Sequence, residues 1–149
     1  MGPYDVLAGM TQYCGVNIAY NLDFIPEDKL GWKPEPTAKS ALEITNHVCG
    51  FILGMIPVAR DGAWQDPEFT PASDLKSAQD LLSQAGEGYG AALRTVDPSR
   101  LAGETSLPFG TFPTSQALTM PIVDMLHHHG QIAYIQTLLG DEEMHFQGM

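Results

Sequence analysis

The chain has 149 residues, enough for one domain with a sizeable core. Apolar residues make up 44% and charged residues 17%, a globular composition that excludes a disordered chain. Seven Lys and Arg face eighteen Asp and Glu, a formal charge of −11, so the surface repels phosphate backbones and anionic membranes and argues against nucleic-acid or membrane partners.

The chain opens with Met1-Gly2-Pro3-Tyr4-Asp5, which lacks the basic and then apolar pattern of a secretory signal, and no apolar run approaches the length of a membrane span. A first helix is predicted from about Pro3 to Asp23. Val6, Leu7, Met10, Cys14, Ile18 and Leu22 recur every three or four residues as its inward stripe. A loop from Ile25 to Pro36 follows, too rich in proline for a regular helix, with Trp32 as a plug for one end of the core. The second helix runs from about Thr37 or Ser40 to Arg60. Ser40-Ala41-Leu42-Glu43 fits a capping box, and His47 sits mid-helix.

A loop with Gly62, Pro67 and Pro71 leads to a third helix from about Ser73 to Val96, with Ser73 as the expected cap. Gly86, Gly88 and Gly90 weaken it by roughly 1 kcal/mol each relative to Ala. No strand precedes them and no helix starts at them, so they mark close packing or a kink rather than a dinucleotide site. Asp97 to Pro113 is a long crossover with room for short extended pieces. The fourth helix runs from about Thr114 to Leu139, with a kink expected near Pro121 and Gly140 as its cap; the polar residues beyond are expected to fray. The sum is a single all-α domain over residues 1–149, a four-helix bundle with a long crossover before the last helix. Cys14 and Cys49 lie in helical patterns and read as reduced, buried thiols of a cytoplasmic protein; a disulfide between them has no positive support, and the absence of a Cys-x-x-Cys spacing excludes a local redox pair.

The fourth helix carries the chemistry. Asp124 and His128 are four residues apart, on one helical face, with His127 and His129 about 100° to either side of His128. A carboxylate and an imidazole so placed can share a divalent cation, and His47 offers a third ligand from a neighbouring helix. Three side chains leave coordination positions open for water or substrate. The residues also admit another reading: His47 as a hydrogen-bonded core histidine, and Asp124 as a partner of Lys39 or a cap of the turn after Pro121.

Asp124-x-x-His127-His128-x-Gly130-Gln131, followed by Ile132-Ala133-Tyr134-Ile135-Gln136 and Leu138-Leu139-Gly140, resembles the last helix of the DinB-like family, which includes YfiT-type proteins and thiol-dependent S-transferases. Leu30-Gly31-Trp32-Lys33-Pro34, Pro36, Ser40, Glu43 and His47 resemble the family's Trp-x-Pro loop and Glu-x-x-x-His helix, so the likeness spans essentially the whole chain. It implies a four-helix bundle, often a homodimer, and a divalent metal, zinc or nickel, held by His47, Asp124 and His128. Many relatives have histidine where this chain has Asp124, and often arginine where it has His129.

The expected function is a metal-dependent enzyme acting on a small molecule. In that reading the metal activates a low-molecular-weight thiol, which attacks an electrophile in an apolar pocket. His127 or His129 moves protons, and Gln131, with Glu43 if it is free of the capping box, orients a ligand or bound water. The alternatives are a non-catalytic binding or stress-response bundle with a structural metal, and a helical bundle with buried histidines and no metal.

Overall fold

The computed structural model describes residues 2–147. Four helices carry them: α1 (Pro3–Leu22), α2 (Ala41–Asp61), α3 (Leu75–Leu93) and α4 (Thr114–Leu138). Helices α1 and α2 each pack against both α3 and α4, which gives the expected bundle. The crossover before α4 holds a 3-10 turn, Pro98–Ala102, and an antiparallel hairpin of β1 (Glu104–Leu107) and β2 (Gly110–Pro113). Leu107 pairs with Gly110, so Pro108 and Phe109 form its two-residue turn.

Local chemistry sets the helix ends. The Ser40 hydroxyl accepts from the Glu43 N–H at 3.1 Å, and Glu43 accepts from the Ser40 N–H at 2.9 Å. Glu43 also pairs with Lys33 at 2.8 Å, so it is committed to the cap and is not free to orient a ligand. Helix α3 is capped by Asp74, not the expected Ser73: the Asp74 carboxylate accepts from the Ser77 N–H at 2.7 Å, where its charge also faces the positive helix end. At the far end of α2, Gly62 takes φ +87, and the Arg100 guanidinium donates to the Val58 and Ala59 carbonyls at 2.7 and 2.5 Å. A cation therefore closes the negative end of α2 and ties the crossover to it.

The buried side of α1 differs from the expected stripe. Val6 and Met10 are 49% and 42% exposed, while Ala8, Thr11, Cys14, Ile18 and Leu22 are buried. The cause is the glycine cluster of α3. A Cβ at Gly90 would lie 3.2 Å from the Ala8 carbonyl oxygen, and one at Gly86 would lie 3.4 Å from that of Thr11. Across the same contact, a Cβ at Gly15 would meet the Leu82 carbonyl at 3.3 Å. The two backbones approach too closely for large side chains, so α1 turns its small residues toward α3. The glycines are a packing surface within the bundle.

Helix α2 is long and apolar enough to cross a membrane by length and composition, more than the bare sequence reading credited. Its Ile44, Val48, Ile52, Met55 and Val58 are buried in the core. Trp32 is half-buried against that core. Cys14 and Cys49 are free and buried, and burial pushes the Cys49 thiol up to about 12 and raises that of Cys14, so neither is a nucleophile. The segment after Gly140 is docked rather than frayed. His145 stacks on Phe24 with ring centroids 3.5 Å apart and meets Asp141 at 2.7 Å, and the Gln147 N–H donates to the Asn17 side chain at 3.0 Å.

Close packing predicts opposite responses to one kind of substitution. Gly90→Val should destabilise the bundle by about 1–3 kcal/mol, because the backbone of α1 cannot yield. Gly9→Ala, where nothing lies within 4 Å, should stabilise it by about 1 kcal/mol through helix propensity alone. Urea denaturation of both variants checks the pair; equal effects would remove the close-approach account.

Candidate metal centre

Helices α2 and α4 are neighbours, and each turns polar groups toward the other: His47 is exposed, so it is not a core histidine, while Asp124 is half-buried and His128 buried. Met125 and Ile132 point into the core and fix the rotation of α4, which places His128 at the boundary of the core and Asp124 one turn earlier on the same face. Leu42, Val48 and the cap at Ser40 fix α2, and His47 faces α4 from there. The ligand atoms of His47, Asp124 and His128 all lie within 4.8 Å of one another. The imidazoles of His47 and His128 meet edge to face with centroids 5.0 Å apart. Among the described residues this is the one group of three His, Cys, Asp or Glu side chains that can hold a metal ion.

The donor chemistry fits a cation. His128 Nδ1 lies 2.6 Å from the Gln131 carboxamide oxygen and donates its proton there. That leaves the lone pair of His128 Nε2 facing Asp124 Oδ1 at 3.3 Å, acceptor against acceptor. Asp124 Oδ2 is buried with no hydrogen-bond partner. A buried, unpartnered carboxylate oxygen costs about 1–3 kcal/mol or more. Either a proton or a metal ion between these atoms removes the conflict, and two nitrogens with one oxygen suit a borderline divalent ion. Burial, helped by the neighbouring His128 and Lys39, holds the His47 imidazole below its ordinary value, while Asp124 acts in the opposite direction. His47 is therefore neutral at pH 7, with a lone pair to give. The alternative pairing of Asp124 with Lys39 does not form; Asp124 Oδ1 lies 3.3 Å from His128 Nε2 instead.

The other proposed site residues separate. Gln131 bridges: its oxygen holds His128 and its nitrogen lies 3.4 Å from His127 Nε2. Holding a ligand imidazole through its second nitrogen is the usual outer support of a metal site. His127 lines the cavity beside the cluster. His129 does not reach it. It turns to the opposite side of α4, where its Nε2 lies 3.0 Å from the Asn21 side chain and its ring packs edge-on against Phe146. Burial lowers its pKa there, which suits a neutral acceptor that anchors the C-terminal segment. Of these two histidines, only His127 lines the cavity beside the cluster.

A cavity of about 970 Å³ opens beside the three ligands, within the range of small-molecule sites. His47, Asp124 and His127 form one end; Phe51, Trp64, Phe109, Met120 and Val123 are among the rest of its walls. Trp64 lies over Gly54 so closely that a Cβ there would fall 2.2 Å from the indole, and Phe69 covers Gly50 in the same manner at 3.3 Å. Neither aromatic residue was singled out from sequence. The available signal was Gly50-x-x-x-Gly54, a small-residue pair on one face of a helix that also presents Phe51 one turn after His47.

The geometry agrees with what the chain is similar to. The model of the DinB family matches residues 18–149. The fold is similar to that of a DinB-like protein (YjoA) from Bacillus subtilis, with a TM-score of 0.78 at 19% identity over 95% of this chain and 96% of that one. No curated protein matches the chain in sequence. With most of its length covered by the family model, the chain belongs to the DinB family.

Proposed function

We propose that this protein is a metal-dependent transferase that holds a divalent cation, zinc or nickel, through His47, Asp124 and His128 and adds a low-molecular-weight thiol to an electrophile bound in the adjoining cavity. The observation that carries the metal half is the buried, unpartnered Asp124 Oδ2, one turn from His128 and with His47 close enough for all three ligand atoms to lie within 4.8 Å. A cation bound there supplies Lewis acidity and lowers the pKa of a thiol that ligates it.

The chain's own residues do the remainder. Gln131 keeps the His128 proton on Nδ1 and so keeps Nε2 available. His127, at the cavity edge, accepts the thiol proton on Nε2, exchanging for it the long 3.4 Å contact with the Gln131 carboxamide nitrogen. The sulfur forms a bond to the electrophilic carbon, and the leaving group departs with its electron pair. The mainly apolar walls hold few groups that would bind and orient a competing water, which favours transfer over hydrolysis. This chemistry belongs in a thiol-rich, reducing compartment such as the cytoplasm, in agreement with two unpaired cysteines.

Metal binding comes first. Protein purified without a metal-chelating resin should take up one equivalent of zinc or nickel by calorimetry and elemental analysis. His128→Ala should abolish that uptake, and Gln131→Ala should weaken it by about 10- to 100-fold. His129→Ala should leave it unchanged. Full occupancy in His128→Ala would sink the ligand assignment.

The pH dependence has a definite sign. The folded-state pKa of His47 lies below its unfolded value of 6.5, so the unfolded chain binds more protons between the two. The stability His47 contributes is present above pH 6.5 and is lost as pH falls through the folded value. Zinc affinity should fall over the same interval, since the ligand nitrogen must be unprotonated. Thermal melts and zinc titrations between pH 7.5 and 5 check this; an affinity that rises on acidification would contradict it.

Catalysis needs its own measurement. Metal-loaded protein mixed with bacillithiol, mycothiol or glutathione and 1-chloro-2,4-dinitrobenzene should release chloride and form the thioether in a metal-dependent manner. His127→Gln should slow this by about 100-fold, with metal content retained. Zinc uptake with no turnover from any thiol would leave a binding protein with a structural metal.

A further inference from the structure

The cavity walls specify what the second substrate looks like. Four aromatic side chains form one array: Phe51 lies 6.2 Å from Trp64 at an interplanar angle of 28°, and 6.1 Å from Phe109, which in turn lies 5.7 Å from Phe112. They come from three separate parts of the chain: α2, the loop after it, and the hairpin, where Phe109 lines the cavity from the turn and Phe112 stands behind it on β2. Trp64 is held in place from both sides, by Gly54 beneath the ring and by Asp66, which accepts from the indole N–H at 2.8 Å. Phe109 stands 58% exposed at the tip of a two-residue turn.

The polar groups on these walls already have partners. The Asn46 side chain bonds the Ala72 backbone in both directions, at 3.0 and 2.7 Å. The Thr119 hydroxyl donates to the Gln116 carbonyl at 2.8 Å. Beyond the metal-ligand end, only the exposed Gln116 side chain remains for directed hydrogen bonding. No Lys or Arg lines the cavity among the described residues. A carboxylate or phosphate bound against these walls, away from the metal-ligand end, would lose its hydration with no cation side chain to offset the loss.

We infer that the aromatic array is the recognition surface for an uncharged, planar aromatic or conjugated group of the substrate, with Trp64 and Phe109 as the residues that set this specificity. Stacked or edge-on rings at these separations gain from contact with a flat π-system, and aliphatic groups of equal size gain less. The assignment of this group to the electrophile rests on the transferase reading; the character of the group rests on the walls alone.

The test reads the walls directly and does not need the metal. The chain has two tryptophans, so its indole N–H resonances in a nitrogen–proton NMR spectrum are two, and Trp32→Phe identifies that of Trp64. Metal-free protein is titrated with naphthalene-2-methanol, 2-naphthoate and cyclohexanemethanol. The Trp64 resonance should move saturably with naphthalene-2-methanol, while 2-naphthoate should bind about tenfold or more weakly. Cyclohexanemethanol and the exposed-tip variant Phe109→Ala should each lose about three- to tenfold in affinity. Val123→Lys, which puts a cation on a wall position that is 64% exposed, should bring 2-naphthoate up to the affinity of the alcohol. Equal or tighter binding of 2-naphthoate by the unmodified chain would overturn the inference. So would affinity unaffected by Phe109→Ala, or no movement of the Trp64 resonance with any probe. Zinc uptake, measured separately, reports on the metal reading, so each can fail without the other.

Discussion

The Asp124 carboxylate and the His128 imidazole face each other across 3.3 Å where α4 meets α2, and the rest of the molecule makes sense as a means of keeping them there. A free carboxylate and a free imidazole lone pair repel. An unconstrained side chain would rotate away into water. Asp124 does not, because it is half-buried with one oxygen sealed from solvent, and His128 is locked by its bond to Gln131. The arrangement is costly by itself and becomes favourable once a positive charge enters it. Metal sites that exist before the metal arrives share this property: the fold bears the cost of bringing the ligands together, so less of the binding energy is spent on ordering.

The bundle bears that cost elsewhere in the structure. Tight glycine packing joins α1 to α3. The buried Tyr89 hydroxyl ties α3 to α4 by donating to the Leu118 carbonyl at 2.8 Å, within the turns of α4 that lead to Asp124. Gln136 ties the other end of α4 to α1 through the Asn21 carbonyl. Asn21 in turn holds His129 and the His145 carbonyl, so the C-terminal segment clamps the same helix from outside. A rotation of α4 by one residue, about 100°, would carry Asp124 and His128 off the α2 contact. Each of these bonds resists that rotation. Three adjacent histidines consequently do three different things: His127 faces the cavity, His128 the cation position and His129 the structural clamp.

Much of this was legible in the sequence where a short-range rule applied. The spacing of Asp124 and His128 placed both on one face, the Ser40–Glu43 capping box marked the one of two candidate starts of α2 that the structure uses, and the strand-free context of Gly86, Gly88 and Gly90 ruled out a phosphate loop. What sequence could not supply was the choice between equivalent local answers. Ser73 was the cap read from sequence, but the structure uses its neighbour Asp74, whose charge meets the helix end. Val6 and Met10 fitted the period of a buried stripe, yet the approach of α1 to the glycines of α3 rotates them outward. Long-range partners were invisible altogether. Nothing local announces that Arg100 will close α2, that Trp64 will lie on Gly54, or that His145 will stack on Phe24.

The split between rigid and variable parts bears on how such a site changes its chemistry. The cation ligands sit on two long helices whose rotation is fixed by the core, so the reactive end has one geometry. The aromatic walls beyond Phe51 come from a loop and a hairpin turn, whose sequences can change with little cost to the bundle. A formal charge of −11 on the chain and an acidic ligand at the site both favour a cation, while the walls favour an uncharged group. Charge selection and shape selection are thereby carried by different elements. On the proposed reading, replacing Phe109 or Trp64 would alter which molecule enters, whereas replacing Asp124 would alter the cation and only the ligand end of the cavity.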